Sequence, residues 1–218
     1  MPWAISFIGP HNAGKTTLLR GLAQELAQRG LKVGFLKSSK EERADLEKEG
    51  TDTRLLRESG AWATAFWGKE EVFFSLPAPP KEEFNFWALI ERFFFDCHLV
   101  LCEGFKGLRS VAKIEVLAPG KKPLFPQIPG VIALVGEYSS SPLPCFSPQD
   151  FRGLADFILS RCPKPNRVSL LVDDKPVGLT RFVSKALAQT VAGFLESLRG
   201  VKRPQKIELK INLGQDEL

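Results

Sequence analysis

The chain has 218 residues, 44% of them apolar and 25% charged, which excludes a disordered or fibrous protein and suits a globular one with either a single large domain or one full domain plus a small second. Its net charge of +5 at neutral pH serves solubility or a phosphate-rich ligand equally well, and the basic residues near the C-terminus (Arg199, Lys202, Arg203, Lys206, Lys210) have no interleaved aromatics to stack bases, so nucleic acid is not an expected partner. No uninterrupted apolar run reaches the roughly 18 residues of a membrane span and no charged leader precedes the first strand-like segment, so neither a membrane partner nor a signal peptide is expected.

Taken in chain order, Trp3–Ile8 reads as a buried strand. Lys15–Gln28 reads as a helix with Leu18, Leu19, Leu22 and Leu26 at helical spacing, ended by Gly30. Lys32–Leu36 is the next strand, and strand–loop–helix–strand is the βαβ unit of a parallel sheet. Glu41–Arg57 is highly charged and without an apolar stripe, and is expected to be a mobile loop holding a short helix. Trp62–Trp67 and Val72–Leu76 follow as short strands, Phe84–Phe94 as an apolar helix, and Leu99–Cys102, Lys113–Leu117 and Val131–Val135 as strands. A helix is expected to start at Ser147-Pro148-Gln149-Asp150, with serine as cap and proline at the first helical position, and to run to Arg161.

Pro163 and Pro165 mark a domain boundary, so the expected division is 1–162 and 166–218. The second part reads as a strand at Val168–Val172, a turn at Asp173–Pro176, and an amphipathic helix presenting Phe182, Val183, Leu187, Val191, Phe194 and Leu198. A final strand is expected where Ile207, Leu209 and Ile211 alternate with polar residues. The fold class is therefore α/β, with a small α+β unit at the C-terminus. The cysteines, Cys97, Cys102, Cys145 and Cys162, form no C-x-x-C pair and only His11 and His98 accompany them, a poor zinc set; reduced thiols in a cytoplasmic protein are expected.

Gly9-Pro10-His11-Asn12-Ala13-Gly14-Lys15-Thr16 fits the phosphate-loop pattern at every fixed position. Such a loop wraps polyphosphate oxygens in backbone N–H groups, which requires glycines where a Cβ would block the approach. Lys15 supplies a point charge to the β- and γ-phosphates, Thr16 places a hydroxyl on Mg²⁺, and the helix opening at Lys15 turns its positive end toward the anion. The motif follows a strand and opens a helix, the context its mechanism needs. A second ligand for the metal, an acid, is expected at the end of a neighbouring buried strand. Leu99-Val100-Leu101-Cys102-Glu103 has that form, with Glu103 meeting Mg²⁺ directly or through water. Asp52 is a further acidic candidate or a solvated surface acid. Lys37 and Lys40, after the second strand, either meet a phosphate or lie exposed.

With these residues in place, the phosphate loop, Lys37, Asp52-Thr53-Arg54, Glu103-Gly104-Phe105-Lys106 and Lys113-Ile114-Glu115-Val116 together resemble the molybdopterin-guanine dinucleotide biosynthesis protein B family (MobB) over residues 1 to about 160. The last two segments are the most specific part, and the tail resembles the extension that some members carry. The resemblance implies a P-loop NTPase-type, mostly parallel sheet flanked by helices. It also implies a homodimer that binds GTP with Mg²⁺, hydrolyses it slowly, and assists the guanylyltransferase that attaches GMP to molybdopterin. By position it implies that Gly9, Asn12, Ala13, Gly14, Lys15, Thr16 and Thr17 hold the triphosphate and that Asp52, Arg54 and Lys106 line the cleft. The chain departs from the family where Lys37-Ser38-Ser39-Lys40 stands in place of the common Lys-His.

No N-K-x-D guanine reader is present; Glu137, past Val131–Val135, stands where a base-contacting loop usually lies, or is simply exposed. Preference for guanine therefore rests on resemblance. Two other readings fit the same loop: a small-molecule phosphotransferase, with Glu41–Arg57 as its lid, and a nucleotide-gated interaction module without catalysis.

Overall fold

The computed structural model of the protein describes residues 3–39, 52–138, 141–163 and 168–211. Six strands form one sheet: β1 (Trp3–Ile8), β2 (Val33–Lys37), β5 (Leu99–Glu103), β6 (Ala112–Val116), β7 (Val131–Val135) and β8 (Cys145–Phe146), in the order β2-β5-β1-β6-β7-β8. Every pairing within it is parallel. The central strands are apolar on both faces because both are covered. On one face Ile5, Phe7, Leu99, Leu101 and Ile114 pack against Leu18, Leu19, Leu22 and Leu26 of α1 (Lys15–Gln28) and against Leu154, Ala155 and Ile158 of α4 (Phe151–Arg161). On the other, Ala4, Val100 and Cys102 meet Phe86 and Ile90 of α3 (Glu83–Phe93). Burial drives the Cys102 thiol up to about 12, so it is inert packing.

Helices α1 and α4 approach closely because Gly21 leaves room for the Phe151 ring, into which any Cβ there would run. Arg29 ties the pair at the rim, 2.5 Å from Asp156 and 2.7 Å from Glu25. Outside the sheet, β3 (Thr64–Trp67) and β4 (Val72–Ser75) form an antiparallel hairpin, and α2 (Asp52–Glu58) packs on β3.

The short helix expected within Glu41–Arg57 is α2, which starts at Asp52; Lys40 and residues 41–51 lie outside the described residues. Three other expectations change. Helix α4 starts at Phe151, because the Asp150 carboxylate accepts the Gly153 N–H at 2.9 Å and so provides the cap, while Ser147 and Pro148 stay in the preceding turn. The turn expected at Asp173–Pro176 is tighter: Asp173 and Asp174, both at positive φ, close a two-residue hairpin between β9 (Leu171–Val172) and β10 (Lys175–Pro176). Residues 207–211 are not a strand: alternation alone supplies no partner edge, and the segment is held instead by Lys206, 2.7 Å from Asp96. Helix α5 (Arg181–Glu196) is capped by Thr180, but its apolar side is largely open, with Phe182 81% and Phe194 66% exposed.

Candidate phosphate-binding site

The chain order reverses at β1, which lies between β5 and β6, so the loops leaving the C-terminal ends of β1, β5, β2 and β6 converge at one crevice. The β1–α1 loop fills it. Gly9, at φ 148°, sits so close to the Val116 carbonyl that a Cβ would run into it, which ties the start of the loop to the end of β6. Asn12 and Gly14 are both left-handed, at φ 61° and 81°, and Gly14 occupies the cap position of α1 without a side-chain cap, leaving the first N–H groups of that helix turned toward the loop.

Lys15 folds over this loop. Its ammonium is 2.7 Å from the Pro10 carbonyl and 3.2 Å from that of Gly9. Thr16 follows on the exposed side, and its hydroxyl donates to the Glu103 carboxylate at 3.1 Å. This contact comes from sheet register: Phe7 on β1 pairs with Glu103 on β5, so the last residue of β5 lies beside the loop that β1 feeds. The chain around Glu103 is fixed on both sides. Ser38 N–H donates to the Glu103 carbonyl at 2.9 Å, Gly104 N–H donates to that of Phe7 at 3.0 Å, and the buried Ser6 hydroxyl donates to the Gly104 carbonyl. Gly104 and Phe105 both have positive φ, and this turn swings the Phe105 ring onto Phe86, 5.1 Å between centroids. The donors gathered at Thr16 and Glu103 are hard oxygens, a set that suits Mg²⁺ and not a thiophilic metal.

Other sequence candidates divide. Lys37 closes β2 in register with Glu103 and is exposed; Lys106 is exposed on the turn after β5. His11 is exposed. Asp52 and Arg54 sit on α2, which packs on β3, and Arg54 pairs with Glu58 one turn on at 3.2 Å. Glu137 is exposed just beyond β7. Sequence reasoning passed over Ser6 and the individual parts played by Lys113 and Glu115. These are two charged residues inside an apolar strand, and that oddity was the available signal.

A family model described as Molybdopterin guanine dinucleotide synthesis protein B, MobB, matches residues 4–137. The chain belongs to the MobB family. Among curated MobB relatives, the molybdopterin-guanine dinucleotide biosynthesis adapter protein of Escherichia coli (strain K12) is 29% identical over 74% of this chain and 94% of its own length. A putative adapter protein of the same description from Methanocaldococcus jannaschii is 25% identical over 97% of this chain and 98% of its own. The long match to the second extends the likeness into the C-terminal part of this MobB-family chain. Two crystal structures share the fold. One, of molybdopterin-guanine biosynthesis protein B, has a TM-score of 0.57 and 26% identity over 72% of this chain and 97% of that one. The other, MobB of Bacillus subtilis, has a TM-score of 0.58 and 24% identity over 75% and 99%. The mostly parallel sheet flanked by helices is thus the architecture of the family.

Proposed function

We propose that this MobB-family chain is a GTP-binding accessory protein of molybdopterin guanine dinucleotide formation, with slow, magnesium-dependent hydrolysis at most, and that it assists the guanylyltransferase of that pathway. The observation that carries the reading is the contact between Thr16 and Glu103 at the mouth of a glycine-rich loop that opens a helix. In this reading the amides of Gly9, Asn12, Ala13, Gly14, Lys15, Thr16 and Thr17 wrap the phosphate tail. Lys15 neutralises charge on the β- and γ-phosphates, and Thr16 and Glu103 hold Mg²⁺. The metal supplies positive charge against the phosphate oxygens. Lys37 and Lys106 add charge around the crevice, Glu137 faces the base, and Asp52 and Arg54 line the cleft. Guanine preference and the molybdopterin pathway come from the relatives, whose names describe adapters in that biosynthesis.

The same reading makes the protein a cytoplasmic homodimer. It is consistent with the described residues, among which no helix is long and apolar enough to cross a membrane. The β3–β4 hairpin, with Trp67 87% and Phe74 64% exposed, offers apolar surface for a second copy to cover, and a monomer by light scattering would remove this part of the account. The deciding experiment is purification from native cells. GTP or GDP should accompany the protein, and a guanylyltransferase should be retained with it. Adenine nucleotide with no such partner would overturn the assignment.

We also divide the chain into 1–162 and 166–218. The described contacts of the second part with the first run through α3, where β10 packs and Arg92 pairs with the exposed Asp174, and through Lys206 and Asp96. Ion pairs this exposed to solvent and salt add little to stability. Deleting residues 166–218 should therefore leave a protein that folds and binds GTP as the whole chain does; an unfolded product would show a single shared core.

A further inference from the structure

The loop from Leu117 to Gly130, between β6 and β7, leaves the sheet beside the phosphate loop: the Val116 carbonyl abuts Gly9, and Leu117 N–H donates to the Val135 carbonyl at 2.8 Å. It carries five residues that are proline or glycine before the closing Gly130, and a loop of this length seldom holds one shape without anchors. Two charged side chains of β6 anchor it. Lys113 and Glu115 are 0% and 1% exposed and, two residues apart on one strand, lie on the same face. The Lys113 ammonium donates to the carbonyls of Val111 at 2.9 Å and Pro129 at 3.1 Å, and also to that of Leu108. Its burial lowers its pKa, opposed by the nearby Glu83. The Glu115 carboxylate holds the middle of the loop with both oxygens, accepting Leu124 N–H at 2.6 Å and Phe125 N–H at 2.8 Å. Phe125 in turn meets Tyr138 edge-on, 6.2 Å between centroids, next to Glu137 on the segment leaving β7.

We propose that Glu115 is a positioning residue for nucleoside recognition: its carboxylate fixes Leu124 and Phe125 so that the β6–β7 loop and the Glu137–Tyr138 segment form one wall beside the phosphate loop. Burying a carboxylate is costly unless it is hydrogen-bonded, and here both oxygens are spent on the amides of a single loop, the arrangement that fixes a loop's position. The inference rests on the phosphate-loop reading and deepens it, assigning discrimination of the base to this wall while the phosphates are held by residues 9–16.

The test is binding of two probes, GTP and inorganic tripolyphosphate, each with Mg²⁺, to the full chain and to Glu115→Gln, with thermal melting alongside. The variant keeps one acceptor oxygen and turns the other position into a donor facing an N–H. GTP affinity should fall about tenfold, the size of one charge-assisted hydrogen bond, while tripolyphosphate affinity stays within about twofold. Equal losses for both probes, or an unchanged GTP affinity, would overturn the proposal. Should Glu115→Gln fail to fold, Phe125→Ala, half-buried and outside the sheet, decides in the same way by the same two probes. If the unaltered protein binds neither tripolyphosphate nor GTP, the phosphate-loop reading falls and takes this inference with it. If it binds both and the variants match it, only the inference falls.

Discussion

Lys15→Ala should abolish measurable triphosphate binding while leaving the fold intact. The Lys15 ammonium has three donors and lies over the loop within 2.7 Å of the Pro10 carbonyl, so in the bound state it can exchange loop carbonyls for phosphate oxygens with a small change of rotamer. Charge-assisted hydrogen bonds of this kind contribute about 1.5–3 kcal/mol each, and losing two of them lowers affinity by more than about a hundredfold. Gly9 and Pro10 are only half-buried, so water can replace the ammonium at their carbonyls and the melting temperature should move little. Calorimetry with GTP and Mg²⁺ checks this; an unchanged dissociation constant would refute the role given to the loop.

Glu103→Gln should separate the metal from the phosphates. Glutamine preserves the length of the side chain and a hydrogen bond to the Thr16 hydroxyl, now 3.1 Å from the carboxylate, but it removes the negative charge that a hard cation requires. GTP affinity in excess Mg²⁺ should fall about tenfold or more, by the loss of one charged ligand. Affinity in the presence of a chelator should hold or rise, because a carboxylate no longer stands beside the phosphate tail. Equal losses with and without the metal would assign Glu103 to the fold instead, through the close pairing of β5 with β1 and β2.

The elements nearest the site were the most legible from sequence. Helix α1 spans the residues that its leucine spacing and its bounding glycines indicate, and β1 and β7 begin and end where their apolar runs do. Helix α1 is long and strongly periodic, β1 and β7 are short continuous apolar runs, and all three are bounded by residues with one dominant structural use. The placement of Glu103 beside Thr16 was also legible, because a buried strand that ends in a carboxylate has few places to go in a parallel sheet.

What escaped notice had physical reasons. Strand β8 is two residues long and Cys145 is exposed, so it carries no period to detect. The start of α4 was ambiguous because Ser147 and Asp150 both have capping chemistry, and only the Gly153 amide distinguishes them. The alternation at Ile207, Leu209 and Ile211 imitates a strand, but pairing depends on an available edge, which local sequence does not report. Lys113 and Glu115 are two charges within an apolar run whose roles went unread. Their partners, the carbonyl of Pro129 and the amides of Leu124 and Phe125, lie 9 to 16 residues away in a proline-rich loop and follow no local rule.

The most direct test of the central claim is a crystal structure of the protein grown with Mg²⁺ and a non-hydrolysable GTP analogue. The account predicts the β- and γ-phosphates inside residues 9–16, Lys15 turned from the loop carbonyls onto phosphate oxygens, and the metal between Thr16 and Glu103. A triphosphate bound elsewhere on the chain, with Lys15 still on Gly9 and Pro10, would contradict it.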